Sequence, residues 1–127
     1  SLEIKRSGNV LQIQMTIKGA WGRVILLCPN PPANIKASAK VNEGKLTYNV
    51  HVLDNHAKPV GMPALCHITV TDPQGNDHFE YGGRLVTDEG KLTRSLPLPI
   101  NELKGTWTIT VTEATSQSKT QTTFKIQ

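Results

Sequence analysis

Apolar and polar residues alternate one by one along much of this chain. Leu11, Ile13, Met15 and Ile17 are interleaved with Gln12, Gln14 and Thr16, and Leu46, Tyr48, Val50 and Val52 with Thr47, Asn49 and His51. Cys66, Ile68 and Val70 alternate with His67, Thr69 and Thr71; Trp107, Ile109 and Val111 alternate with Thr106, Thr108 and Thr110. A period of two sends one set of side chains into a core and the other into water, the signature of half-buried strands. Threonine is favoured on such a wetted face. The pattern predicts strands near 2–6, 10–18, 22–28, 35–40, 45–53, 64–71, 77–86 (interrupted at Gly82-Gly83), 91–97, 105–113 and 119–126. No segment carries three turns of helical periodicity, and Ile100-Asn101-Glu102-Leu103 can make at most one helical turn.

The punctuation agrees. Asn42-Glu43-Gly44, Pro73-Gln74-Gly75 and Asp88-Glu89-Gly90 share a design of two type I turn residues followed by a left-handed glycine. Asp72 before Pro73 strengthens the second, because Asp suits the first turn position and Pro presets φ at the next. Ser7-Gly8-Asn9 reads as a tight hairpin. About seven strands fall in residues 35–127, the proportions of an immunoglobulin-like sandwich.

The expected fold is all-β: an immunoglobulin-like antiparallel β-sandwich preceded by a short β-meander. Cys28-Pro29-Asn30-Pro31-Pro32 is the Pro-rich joint between them. It divides a meander, residues 1–31, from a sandwich, residues 32–127. Three strands alone are marginal, so the meander is expected to pack on the sandwich or on an upstream domain. Arg94 falls on the Leu92/Leu96 side of its strand. That placement requires either an edge strand where Arg reaches out to solvent or a bulge that shifts the phase.

Composition narrows the function classes. A chain of 127 residues can bury a core without staples. Its net charge is +4, but Lys5-Arg6 is the only adjacent basic pair and no recognition helix is visible, so no nucleic-acid partner is expected. No apolar run approaches the ~20 residues of a spanning helix, so no membrane insertion is expected. The sequence opens at Ser1 without a Met, as an excised or processed piece of a larger protein would. The two cysteines, Cys28 and Cys66, sit among apolar residues. They are expected to be reduced and at least partly buried; a bridge between them would instead tie the meander to the sandwich.

No catalytic or metal-binding pattern emerges, and neither metal nor cofactor is expected. His51 and His67 fall at outward strand positions and His56 and His78 in or near loops, without zinc-pair spacing, so solvated surface histidines are expected. Asp72-Pro73-Gln74-Gly75-Asn76-Asp77 resembles a calcium loop in composition but lacks its register, and turn chemistry explains it. Glu80 and Glu113 could be imagined as a glycosidase carboxylate pair, but nothing places them across a cleft. The chain is therefore not expected to be an enzyme. Trp21 and Tyr81, each beside a glycine, are the aromatic residues where a ring could be exposed to stack on a sugar. Trp107 is expected in the core.

His67-Ile68-Thr69-Val70-Thr71-Asp72-Pro73-Gln74-Gly75 ends a strand in "V-x-D-P-x-G". His78-Phe79-Glu80-Tyr81, Leu96-Pro97-Leu98-Pro99-Ile100-Asn101 and Gly105-Thr106-Trp107-Thr108-Ile109-Thr110-Val111-Thr112-Glu113 follow. This order, over roughly residues 45–127, resembles immunoglobulin-like modules of large bacterial extracytoplasmic proteins. Examples are the C-terminal sandwich domains of beta-galactosidase-like glycoside hydrolases, and macroglobulin-type domains. The resemblance implies a non-catalytic accessory, spacer or docking module of a secreted or surface protein. Its location would be extracellular, periplasmic or cell-surface, and its partners neighbouring domains of the same parent chain. The alternative is a binding module in its own right, for a glycan or a protein ligand.

Overall fold

The computed structural model describes residues 2–8, 10–15 and 30–127. Two strands, β1 (Leu2–Ser7) and β2 (Val10–Met15), pair antiparallel as a hairpin. The strand expected at 22–28, the end of the one expected at 10–18, and the candidates Trp21 and Cys28 lie outside the described residues.

Seven strands follow: β3 (Asn34–Asn42), β4 (Lys45–Leu53), β5 (Leu65–Thr71), β6 (Gly83–Val86), β7 (Lys91–Pro97), β8 (Gly105–Glu113) and β9 (Lys119–Ile126). They form a three-stranded sheet in the order β3-β4-β7 and a four-stranded sheet in the order β6-β5-β8-β9, antiparallel throughout. This is the two-sheet immunoglobulin-like sandwich that the alternation predicts. Register carries the alternation across each sheet. Ala37, Val50 and Leu92 line up on one side, and Ser38, Asn49 and Thr93 on the other.

The inward sets meet as one core. Leu46, Tyr48, Val50 and Val52 of β4 join Ile68 and Val70 of β5 and Trp107, Ile109 and Val111 of β8. Trp107 is fully buried, as expected, and stacks against Phe124 at 5.9 Å between ring centroids. Each large apolar side chain removed from water in this way stabilises the fold by about 1.5–3 kcal/mol.

The strand connections collect at two poles. One holds the entry at 30–33, the 54–64 loop and the turns at 87–90 and 114–118. It is tied together by Thr87 N to Ala64 O (2.9 Å), Ala114 N to Leu65 O (2.9 Å) and Ser118 Oγ to Ala33 O (3.2 Å). The other holds the 43–44 turn and the 72–82 and 98–104 connections. Leu98 N there donates to Gly44 O (2.8 Å), and Val41, Leu98, Ile100 and Ile126 border one groove. An odd number of strands therefore brings the sandwich in at the first pole and out at the second.

Local expectations are corrected at three places. Glu43 and Gly44 both have positive φ (50° and 73°), as do Glu89 and Gly90 (47° and 78°). Two of the three glycine turns are thus two-residue hairpins of the I′ kind, whose twist matches the flanking strands, and only Pro73-Gln74-Gly75 keeps the design read from the sequence. The strand expected at 77–86 is a lone bridge at Asp77, a 3₁₀ turn at Phe79–Tyr81, and the short β6. Gly82 explains the break: a Cβ there would run into the carbonyl oxygen of Ile68. Arg94 needs no bulge, because the β4–β7 register is continuous and β7 is an edge strand.

Candidate functional site

The densest group of titratable and aromatic side chains lies at the exit pole, on the connection between β5 and β6. Asp72 directly follows β5 and is almost fully buried. Its Oδ1 accepts from the backbone N–H of Gln74 (2.8 Å) and of Asn76 (3.0 Å), an Asx-type lock on the Pro73 turn. Those donors, the Asn76 amide first and the His78 ring next, hold its carboxyl well below the usual range, at about 2.

His78 follows the turn. Its Nε2 lies 3.0 Å from Asp72 Oδ2 and its Nδ1 3.0 Å from Glu80 Oε1. Hydrogen bonding to Asp72, reinforced by Glu80, raises the imidazole above its ordinary pKa despite partial desolvation. The ring stacks with Tyr81 (5.9 Å, 14°) and leans on Trp107 (4.7 Å, 56°). The expectation of a solvated surface histidine is corrected here. His78 joins two carboxylates and two aromatic rings, while His56 and His67 are exposed and His51 is partly so.

Tyr81 is buried, with 5% exposure, so the expected open ring for a sugar is corrected. Its hydroxyl donates to Glu102 Oε2, and its carbonyl accepts from Tyr48 Oη at 2.9 Å. Burial first, and the Glu102 carboxylate second, push its phenol up. Among the described residues, the aromatic side chain that is open at this pole is Phe79, 87% exposed at the head of the 3₁₀ turn. It falls within the strand expected at 77–86 and is open because that stretch forms a 3₁₀ turn instead.

Two further carboxylates, Asp54 and Glu113, are also engaged with the backbone. Asp54 Oδ1 accepts from the N–H of His56 (2.8 Å) and Lys58 (3.1 Å). Glu113, fully buried at the end of β8, accepts from the N–H of Thr115 (2.9 Å) and Ser116 (2.7 Å) and from the Ser116 hydroxyl (2.7 Å). Burial alone would raise its pKa, but the Ser116 and Thr115 donors outweigh this and lower it. Glu80 and Glu113 sit at opposite poles, so the imagined glycosidase pair is not brought together. In the calcium-like run, Asp77 Oδ1 accepts from Thr71 Oγ1 (2.8 Å) and does not join Asp72. No group of three metal-ligating side chains forms among the described residues.

Cys66 lies directly opposite Glu113 and is completely buried and free of a bridge among the described residues. Burial, and then the facing carboxylate, push its thiol up to about 11, the pattern of a thiol that acts as a small hydrophobe. Compared with known proteins, the sequence matches no protein-family model and no curated protein.

Proposed function

We propose that this chain is a non-catalytic accessory module that spaces or docks neighbouring domains of a larger bacterial secreted or surface protein, of which a carbohydrate-active enzyme is one kind. The observation that carries the reading is the polar arrangement of the sandwich. Its strands lead the chain in at one pole and out at the other, as a link in a chain of domains requires. The acidic groups at both poles support it. Asp54, Asp72 and Glu113 use their oxygens to hold turn N–H groups, so the chemistry-bearing side chains rigidify the ends of the module.

The test is a glycan array of neutral sugars probed with the 127-residue chain and its Trp21→Ala variant. The spacer reading expects neutral glycans to stay unbound. Strong retention that disappears in Trp21→Ala would replace it with the alternative, a binding module that stacks sugars on an aromatic ring.

A further inference from the structure

The outer face of the β3-β4-β7 sheet collects lysines from three strands, one of them distant in the sequence from the others. Lys36 and Lys40 come from β3, Lys45 from β4 and Lys91 from β7, and register sets Lys36, His51 and Lys91 in a single cross-strand row. All four lysines are exposed. Alternate residues repeat at about 6.6–6.8 Å along a strand, and strands lie about 4.7–4.9 Å apart. Lys36 and Lys40 are therefore separated by about 13 Å along the sheet, and Lys36 and Lys91 by about 9–10 Å across it.

No acidic residue occupies an outward position on these three strands; the nearest carboxylates, Glu43, Asp88 and Glu89, stand in turns at the poles. None of the four lysines makes an ion pair among the described residues. Between them lie neutral hydrogen-bonding groups, held in place across strands. Thr47 Oγ1 and Ser95 Oγ are 2.9 Å apart, and Thr93 Oγ1 donates to Asn49 Oδ1 at 2.7 Å, a bond that does not use the Asn49 amide N–H groups. The hollows at the two ends of the face are of mixed charge: Glu43 lines one with Lys40 and Lys45, and Asp88 and Glu89 line the other with Lys91, so the uniformly basic stretch is the strand surface between them.

We propose that this face binds an acidic polysaccharide, a hydroxyl-rich chain that carries a carboxylate at intervals. The lysines meet the carboxylates as point charges, and the Thr, Ser and Asn groups between them meet sugar hydroxyls. A nucleic acid fits less well. The face carries no Phe, Tyr or Trp for bases to stack on, its one ring being the half-buried His51, and no projecting element to enter a groove. Attraction through exposed lysines is screened by salt, so binding weakens as ionic strength rises. The inference is read from the sheet face alone and holds whether or not the module also serves as a spacer.

The experiment is isothermal titration of the whole chain with oligogalacturonate, with neutral dextran and duplex DNA of similar length as competitors. Oligogalacturonate is expected to bind at low salt and dextran not to bind. The double variant Lys40→Ala/Lys91→Ala should weaken binding about tenfold, the combined effect of two modest surface charge contacts. Lys119→Ala/Lys125→Ala, on the outer face of the other sheet, should leave it unchanged. All these positions are exposed, and circular dichroism melts verify that both variants fold. The proposal is overturned if oligogalacturonate does not bind, if DNA binds as tightly or more tightly, or if the two double variants lose affinity equally.

Discussion

The imidazole of His78 lies against the indole of Trp107, with ring centroids 4.7 Å apart, and both of its nitrogens face carboxylates. A titrating group is thereby set against the largest side chain of the core. Asp72 and Glu80 are the charged groups that bond it, and Glu102 stands behind Tyr81. The folded-state pKa of His78 is raised above the ordinary value of about 6.5, so its contribution to stability is full below that pH and lost as pH rises through the folded pKa. Asp72 behaves oppositely. Its folded pKa is depressed to about 2, so its contribution is present above the unfolded value and lost as pH falls through the folded one. Both act together between about pH 4 and 6.5. Urea midpoints at acidic, mildly acidic and alkaline pH are expected to peak in that window, and Asp72→Asn should flatten the alkaline decline. A wild-type midpoint that climbs steadily into alkaline pH would refute the coupling.

Trp107 itself is the largest fully buried side chain among the described residues, and its Nε1–H donates to the Leu103 carbonyl at 2.9 Å. Trp107→Ala should cost about 3–5 kcal/mol from lost transfer free energy and the cavity it leaves. That is a large share of the roughly 5–15 kcal/mol typical of a domain. Phe79→Ala, at the open 3₁₀ turn, should change stability by less than about 0.5 kcal/mol. Paired urea melts followed by circular dichroism read the difference; similar midpoints would mean that the core is built around other side chains.

The strands were legible because a period of two is a local signal: β4, β7, β8 and β9 fall where alternation puts them. Features that depend on what lies across the chain were not legible. Tyr81 reads as an open ring because Gly82 follows it. In the fold the missing Cβ of Gly82 lets the segment settle on the Ile68 carbonyl, and the ring goes under. The lysine face is invisible for a similar reason. Lys36 and Lys91 become neighbours only through two successive strand registers. The turn type at Glu43-Gly44 escaped because a glutamate does not announce a left-handed backbone.

That glutamate suggests a stabilising change. A left-handed conformation costs a side-chain-bearing residue about 1–2 kcal/mol, and Asn tolerates it better because its short amide can hydrogen-bond locally. Glu43 (φ 50°) and Glu89 (φ 47°) are both exposed turn residues. Glu43→Asn and Glu89→Asn should each raise stability by up to about 1 kcal/mol, and the two should add because they sit at opposite poles. Thermal melts of the single and double variants test this. Unchanged or lowered melting temperatures would show that the native side chains contribute something the turn geometry does not reveal.

Arg94 closes the open side of the sandwich between β7 and the start of β6. Its Nη1 donates to the Gly82 carbonyl at 2.7 Å and lies 3.3 Å from the Tyr48 hydroxyl. That hydroxyl in turn donates to the Tyr81 carbonyl, so one guanidinium anchors the segment carrying the Asp72–His78–Tyr81 group to the opposite sheet. Arg94→Met keeps the length of the stem but removes both contacts and leaves a buried carbonyl without its donor. The expected loss is about 1–3 kcal/mol. Arg94→Lys should recover part of it, since an ammonium keeps the charge and the donors but sits on a stem one atom shorter than the one that carries Nη1 to both acceptors. The order of urea midpoints is therefore expected to be wild type, then Lys, then Met. In the Met variant, amide hydrogen exchange at Tyr81 and Gly82 should accelerate more than at β8, because the anchor holds the 3₁₀ turn and not the core strands. A Met variant as stable as wild type, with unchanged exchange at those two amides, would show that Arg94 merely lies over the edge without holding it.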